Sequence, residues 1–203
     1  MPLMPLMIDI SKKHIVVVGG GRVAERRIKT LMTYSKDIHV ISPTVTEQLQ
    51  QLIEYSDIKW SEKTFEAKDV QYADLIVVAT NDDATNQCVL QSKPSHAMIN
   101  MASEAMTGDV IFPSIFQRGK LTISISTNGA SPGLTAQLLE EFNQRFDRDY
   151  ETYVDFLYEC RQRIKRSELS SLKQKRFLKE ILADDYLSHH KQREVRNWLD
   201  SVI

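Results

Sequence analysis

Residues 19–24 read Gly-Gly-Gly-Arg-Val-Ala and follow directly on the apolar run His14-Ile-Val-Val-Val18. A continuous β-branched run ending in glycine is the pattern of a strand buried on both faces. The glycines open a stretch from Val23 to Tyr34 in which Ala24, Ile28, Leu31 and Met32 recur at helical spacing. Strand, G-x-G-x-x-A and helix together form the first unit of a dinucleotide-binding α/β domain. In that setting Gly19 permits the tight turn, Gly21 lets a pyrophosphate reach the backbone, and Ala24 lets the helix lie close to the sheet. The helix N-terminus then offers unpaired amides to the phosphates. The competing reading is a tight strand-to-helix turn with no ligand. Its place in the first βαβ unit favours the dinucleotide.

The next eighty residues repeat the alternation. Asp37–Ile41, Ile58–Trp60, Asp74–Ala79 and Ala97–Met101 read as strands, and 44–55 and 83–91 as helices. Strands separated by helices call for right-handed crossovers and a parallel sheet. After Met101 the pattern changes. Val110–Gln117 and Leu121–Ser126 flank the charged turn Arg118-Gly-Lys120 and read as a hairpin, apolar on one face of its second strand. Ser131 with Pro132 behind it is a helix start, and the chain reads as helical from Leu134 to the end. We therefore expect an α/β protein: a Rossmann-type parallel sheet over residues 1–103, a β-containing segment over 104–148 and a helical domain over 149–203.

Composition excludes several classes. With 203 residues, 42% of them hydrophobic, the chain can bury a core without metal or disulfide staples. A net charge of −1 argues against general binding to nucleic acid or to a membrane surface. Cys88 and Cys160 lack the spacing of a disulfide framework or a zinc site, which fits a reducing compartment. The apolar opening, Met1 to Ile8, is short, broken by Pro2 and Pro5, and has no basic region, so we expect no signal peptide and a cytoplasmic protein. His189-His190 is read as a solvated pair, because adjacent helical residues do not converge on one ion; no metal site is expected.

Two further loops belong at the carboxyl edge of the sheet, where open α/β sheets bind ligands. Strand two ends in Ser42-Pro43-Thr44, without the carboxylate that many NAD sites use on the ribose. Ser42 and Thr44 have hydroxyls for that task, and no Lys or Arg stands beside them to meet a 2′-phosphate, so NAD is favoured over NADP. Thr80 and Asn81 follow strand four and suit either cofactor contact or capping of the next helix.

In order along the chain, Gly19-Gly-Gly-Arg-Val-Ala-Glu-Arg26, Ala79-Thr-Asn-Asp-Asp83 with Asn86-Gln87, Phe112-Pro-Ser114 and Ser126-Thr-Asn-Gly-Ala-Ser-Pro132 resemble the precorrin-2 dehydrogenases. That family includes stand-alone enzymes and the N-terminal modules of siroheme synthases. The resemblance runs through roughly residues 1–150; the tail is similar in kind more than in sequence. It implies NAD-dependent oxidation of precorrin-2 to sirohydrochlorin in siroheme biosynthesis, and a homodimer joined through 104–148. Carried over by position, dinucleotide contacts fall on Arg22, Val23, Pro43 and Thr44. Some members also insert Fe²⁺, so a bifunctional dehydrogenase and ferrochelatase is an alternative. A non-catalytic sensor of dinucleotide or tetrapyrrole is a second.

One departure bears on the chemistry. The family usually has an Asp three residues after the Asn that closes strand five; here Ser103 holds that place, with Glu104 next. A serine hydroxyl is a poor base without an activating neighbour. Neighbours in extended chain face opposite ways, so Glu104 takes over only if the chain bends, which Thr107-Gly108 would permit. Ser103 and Glu104 are the candidate catalytic residues. The preferred reading is that orientation and hydride transfer suffice, with solvent collecting the proton. The basic run Arg161–Arg166 reads as a solvated face that would also steer a substrate rich in carboxylates.

Overall fold

A computed structural model describes residues 3–104 and 107–202. Met1 and Pro2 of the apolar opening, and Ala105 and Met106 of the 104–148 segment, lie outside the described residues. The chain separates into two compact units, Met1–Phe112 and Pro113–Ile203.

The first unit alternates β1 (Ile15–Val18), α1 (Arg22–Leu31), β2 (Ile38–Ile41), α2 (Glu47–Glu54), β3 (Lys59–Ser61), a 3-10 turn (Ala67–Val70), β4 (Leu75–Val78), α3 (Asp83–Ser92) and β5 (Met98–Met101). The five strands form one sheet in the order β3-β2-β1-β4-β5, every pair parallel. Both faces are covered, which explains the unbroken apolar runs. Ile15, Val17, Val40 and Val77 pack with Ala24, Ile28, Leu31 and Leu49 on one side; Val16, Val18, Ile76 and Ile99 pack with Val70 and Val89 on the other. The strand order reverses between β1 and β4. In a doubly wound sheet that reversal opens a crevice at the carboxyl ends of the strands.

The expected strand over 110–117 is corrected. β6 begins only at Ser114, and Val110 and Phe112 instead pack against the α1 side of the first unit's core. The amides of Asp109 and Val110 both donate to the Ile99 carbonyl, at 2.8 and 3.2 Å, so this stretch closes the free edge of β5. Pro113 brings no amide to a ladder and separates the two uses of the chain.

The second unit holds the antiparallel hairpin β6 (Ser114–Arg118) and β7 (Leu121–Ile125), then α4 (Pro132–Arg145), α5 (Asp149–Arg166), α6 (Ser171–Glu180), a 3-10 turn (Asp184–Leu187) and α7 (His189–Val202). Ser131 caps α4 by accepting from the Leu134 amide at 3.2 Å, with Pro132 in the first turn as the sequence implies. Tyr153, Phe156, Cys160 and Ile164 of α5 form a core with Ile181 and Leu199. Among the described residues no helix is long and apolar enough to cross a membrane.

Candidate active site

The carboxyl ends of β1, β2, β4 and β5 bring four loops to one edge. Backbone hydrogen bonds carry the sheet's register into them: the Gly19 amide donates to Ile41, Ala79 to Val18 and Ala102 to Val78, at 2.8–2.9 Å. Gly19 has φ +119°, and a Cβ there would lie 2.3 Å from the Ala79 carbonyl oxygen. No other residue type satisfies both conditions. At Gly20 a Cβ would stand 2.1 Å from the Thr44 carbonyl oxygen, and the Gly20 carbonyl accepts from the Thr46 amide at 3.0 Å. Nothing in the sequence around Gly20 marks this role. Its partner lies in the loop after β2, beyond the reach of any local pattern.

Gly21 is the opposite case. Its φ of −80° and ψ of −175° are ordinary extended backbone, and a Cβ built there meets nothing within 4 Å. Neither strain nor packing asks for glycine. It is also the N-cap of α1 and no side chain caps that helix, so its first amides are left for an acceptor from outside. A glycine that the protein itself does not need, at the uncapped start of a ten-residue helix, fits a pyrophosphate laid against the backbone. Ala24, one turn on, is fully buried against the sheet, as the motif requires.

Arg22 and Val23 form the exposed first turn of α1. Pro43 and Thr44 are exposed across from them on the β2 loop. Ser42 is buried: its hydroxyl donates to the Thr44 carbonyl at 2.6 Å, and its carbonyl accepts from Trp60 Nε1 at 2.9 Å. It therefore shapes the loop that presents Thr44. Glu25 ties the same loop to α1, accepting from the Thr46 hydroxyl at 2.8 Å and from Lys29 Nζ at 2.5 Å. The Lys29 bond, then the Thr46 bond, hold its carboxyl below the usual range. Thr46 is at the same time the N-cap of α2, accepting from the Leu49 amide. Glu25 carries no signal in the sequence beyond its place in the motif, because a contact 21 residues away leaves no periodic trace.

On the β4 side, the Thr80 hydroxyl donates to Asn86 Oδ1 at 2.7 Å and accepts from the Asp82 amide at 3.1 Å. Asp82 in turn caps α3 through the Thr85 amide. Thr80 is thus engaged in starting α3, while Asn81 stands exposed at the edge. Ser103 and Glu104 are exposed just beyond β5. The Glu104 carbonyl accepts from both the amide and the hydroxyl of Thr107, at 2.9 and 2.8 Å. Below them Asn100 is buried, with its Nδ2 donating to the Val110 carbonyl at 2.9 Å and its Oδ1 without a partner among the described residues.

A parallel five-stranded sheet with a ligand-ready glycine turn at its switch point defines a dinucleotide-binding domain of the Rossmann class. Comparison with known proteins agrees: an NAD(P)-binding family model matches residues 6–114, one for the central part of sirohaem biosynthesis proteins matches 118–144, and one for the SirC C-terminal domain matches 150–195. Precorrin-2 dehydrogenase of Priestia megaterium is 38% identical over 190 residues, covering 93% of this chain and 94% of that one. The Bacillus subtilis (strain 168) precorrin-2 dehydrogenase is 38% identical over 161 residues, 79% of this chain and 99% of that one. A siroheme synthase of Zymomonas mobilis is 30% identical, but the match spans only 40% of its length. A solved structure described as SirC, precorrin-2 dehydrogenase, superposes with a TM-score of 0.84 at 36% identity, over 98% of this chain and all of that one. The chain belongs to the precorrin-2 dehydrogenase family.

Proposed function

We propose that this chain oxidises precorrin-2 to sirohydrochlorin with NAD as the hydride acceptor, a step of siroheme biosynthesis. The observation that carries the reading is Gly21, whose missing side chain answers no need of the fold and leaves the α1 amides open to a pyrophosphate. Bound there, NAD supplies a nicotinamide carbon that accepts hydride. The rest falls to this chain's residues. The glycine turn binds the phosphates, with Arg22 and Val23 beside them. Pro43 and Thr44, held by Ser42, border the ribose, and Thr80 and Asn81 flank the cofactor on the β4 side. Absence of Lys and Arg from Ser42–Thr44 favours NAD over NADP. The substrate loses one hydride to the cofactor and a proton to solvent, and the site's main contribution is orientation and exclusion of water. Sirohydrochlorin should form, by its visible spectrum, when NAD is supplied and not without it; formation independent of dinucleotide would sink the reading.

By position Ser103 holds the place of the family's Asp, and Glu104 is its neighbour. We assign them a minor share of the rate, since solvent reaches both and can take the proton. Ser103→Ala and Glu104→Gln are each expected to change kcat by less than about tenfold. Removal of a true general base costs ~10²–10⁴-fold. A loss of that size in Glu104→Gln, with NAD affinity unchanged, would make Glu104 the base and overturn this assignment.

Two chains associate through residues 104–148 in this reading, with 149–203 as the helical domain. Support comes from how little that region buries by itself: Phe116 is the one buried residue of the hairpin and Thr135 the one buried residue of α4. A lone two-stranded hairpin is marginal in water. Light scattering should give the mass of a dimer at micromolar concentration; a stable, active monomer would contradict it. Both cysteines are free, which supports a cytoplasmic location.

A further inference from the structure

The loop that follows β2 is held from two sides by side chains of other elements. From β3, Trp60 Nε1 donates to the Ser42 carbonyl at 2.9 Å, while the Ser42 amide donates to the Ser61 carbonyl at 3.3 Å. Strand β3 is the last on that side of the sheet, and the indole lies half-buried against the same core cluster as Val45. From α1, Glu25 Oε2 accepts from the Thr46 hydroxyl at 2.8 Å, and the Glu25 side chain is only 14% exposed. Thr46 also caps α2 and donates its amide to the Gly20 carbonyl. Between the two anchors, Ser42 and Thr46, lie Pro43 and Thr44, both exposed.

Rossmann domains commonly read the adenosine ribose with a carboxylate at the end of this strand. Such a side chain has torsions of its own with which to find the 2′-hydroxyl. This loop has no carboxylate, and the Ser42 hydroxyl is turned inward onto the Thr44 carbonyl at 2.6 Å. The ribose is left to the short Thr44 side chain and the loop backbone. These have no such slack, and a hydrogen bond weakens steeply as its geometry departs from the optimum. Where the loop stands therefore decides what it can bind. We propose that Trp60 and Glu25 are positioning residues for the adenosine ribose of NAD, holding the Ser42–Thr46 loop so that Thr44 meets the 2′-hydroxyl. Each acts through the loop and not on the cofactor itself. The assignment rests on NAD being held at the glycine turn, as the proposed function has it, and not on what the chain oxidises.

The test is calorimetric titration of the full chain with NAD and with its analogue lacking the adenosine 2′-hydroxyl. The unaltered chain should bind NAD about three- to tenfold more tightly than the analogue, the worth of one hydrogen bond. Trp60→Phe keeps an aromatic ring in the core and removes the N–H donor. It should weaken NAD and bring the two affinities towards equality, since the analogue has no 2′-hydroxyl contact to lose. Glu25→Ala should do the same. Glu25→Gln, whose amide oxygen still accepts from Thr46, should keep the preference for NAD. A fold that merely loosens weakens both ligands alike and leaves their ratio unchanged, so the ratio separates positioning from stability. If Trp60→Phe fails to fold, the two Glu25 variants decide alone. No preference for NAD in the unaltered chain, or a preference preserved in Trp60→Phe and Glu25→Ala, overturns the assignment. Because every quantity is a binding affinity, a chain that shows the expected ratios yet forms no sirohydrochlorin keeps this assignment and overturns the dehydrogenase reading instead.

Discussion

Gly21→Val is expected to weaken NAD binding severely while leaving the protein folded. The backbone at Gly21 lies in the extended region that valine favours, and no described atom comes within 4 Å of the new Cβ. The melting temperature should therefore stay within about 2 °C of the unaltered protein, the shift of a substitution costing less than 1 kcal/mol in a chain of this size. The side chain does occupy the approach to the first amides of α1, which no protein group caps. Losing the pyrophosphate's charge-assisted hydrogen bonds to those amides, about 1.5–3 kcal/mol each, should cost about 10²-fold or more in affinity. Calorimetric titration with NAD, beside a thermal melt, reads both quantities. Unchanged affinity in a folded variant would remove the site assignment.

Gly20→Val should give the reverse signature. Its Cβ would sit 2.1 Å from the Thr44 carbonyl, 2.8 Å from Ser42 Oγ and 2.9 Å from Val45 Cγ1. The first of these is backbone, so the β2–α2 loop must move, breaking the Thr46-to-Gly20 hydrogen bond. Overpacking costs typically 1–3 kcal/mol where side chains can yield, and about 3 kcal/mol is expected here. A fall in melting temperature of roughly 6–12 °C follows. NAD affinity should fall too, but as a consequence of the displaced Thr44 loop. A melt equal to that of Gly21→Val would contradict the packing described for this turn.

These paired glycines show what was legible in the sequence and what was not. The buried strands, the crossover helices and the Ser131–Pro132 helix start all follow from local periodicity and capping chemistry, and each formed where its residues implied. Non-local ties left no such signal. Gly20 against Thr44, and Glu25 reaching Thr46, are contacts between loops that only the folded sheet brings together. Val110–Pro113 misled for a related reason. An apolar run is read as strand by its composition, yet here Val110 and Phe112 fill the first unit's core while the Val110 amide bonds the last strand's edge.

The most direct test is to mix precorrin-2, NAD and the purified chain, and to follow NADH and sirohydrochlorin together by their separate absorbances. Hydride transfer to a nucleotide held on the Gly19–Gly21 turn predicts that the two appear in equal amounts, with NAD the only oxidant required. Sirohydrochlorin without matching NADH, or neither product from a folded chain that binds NAD, would contradict it.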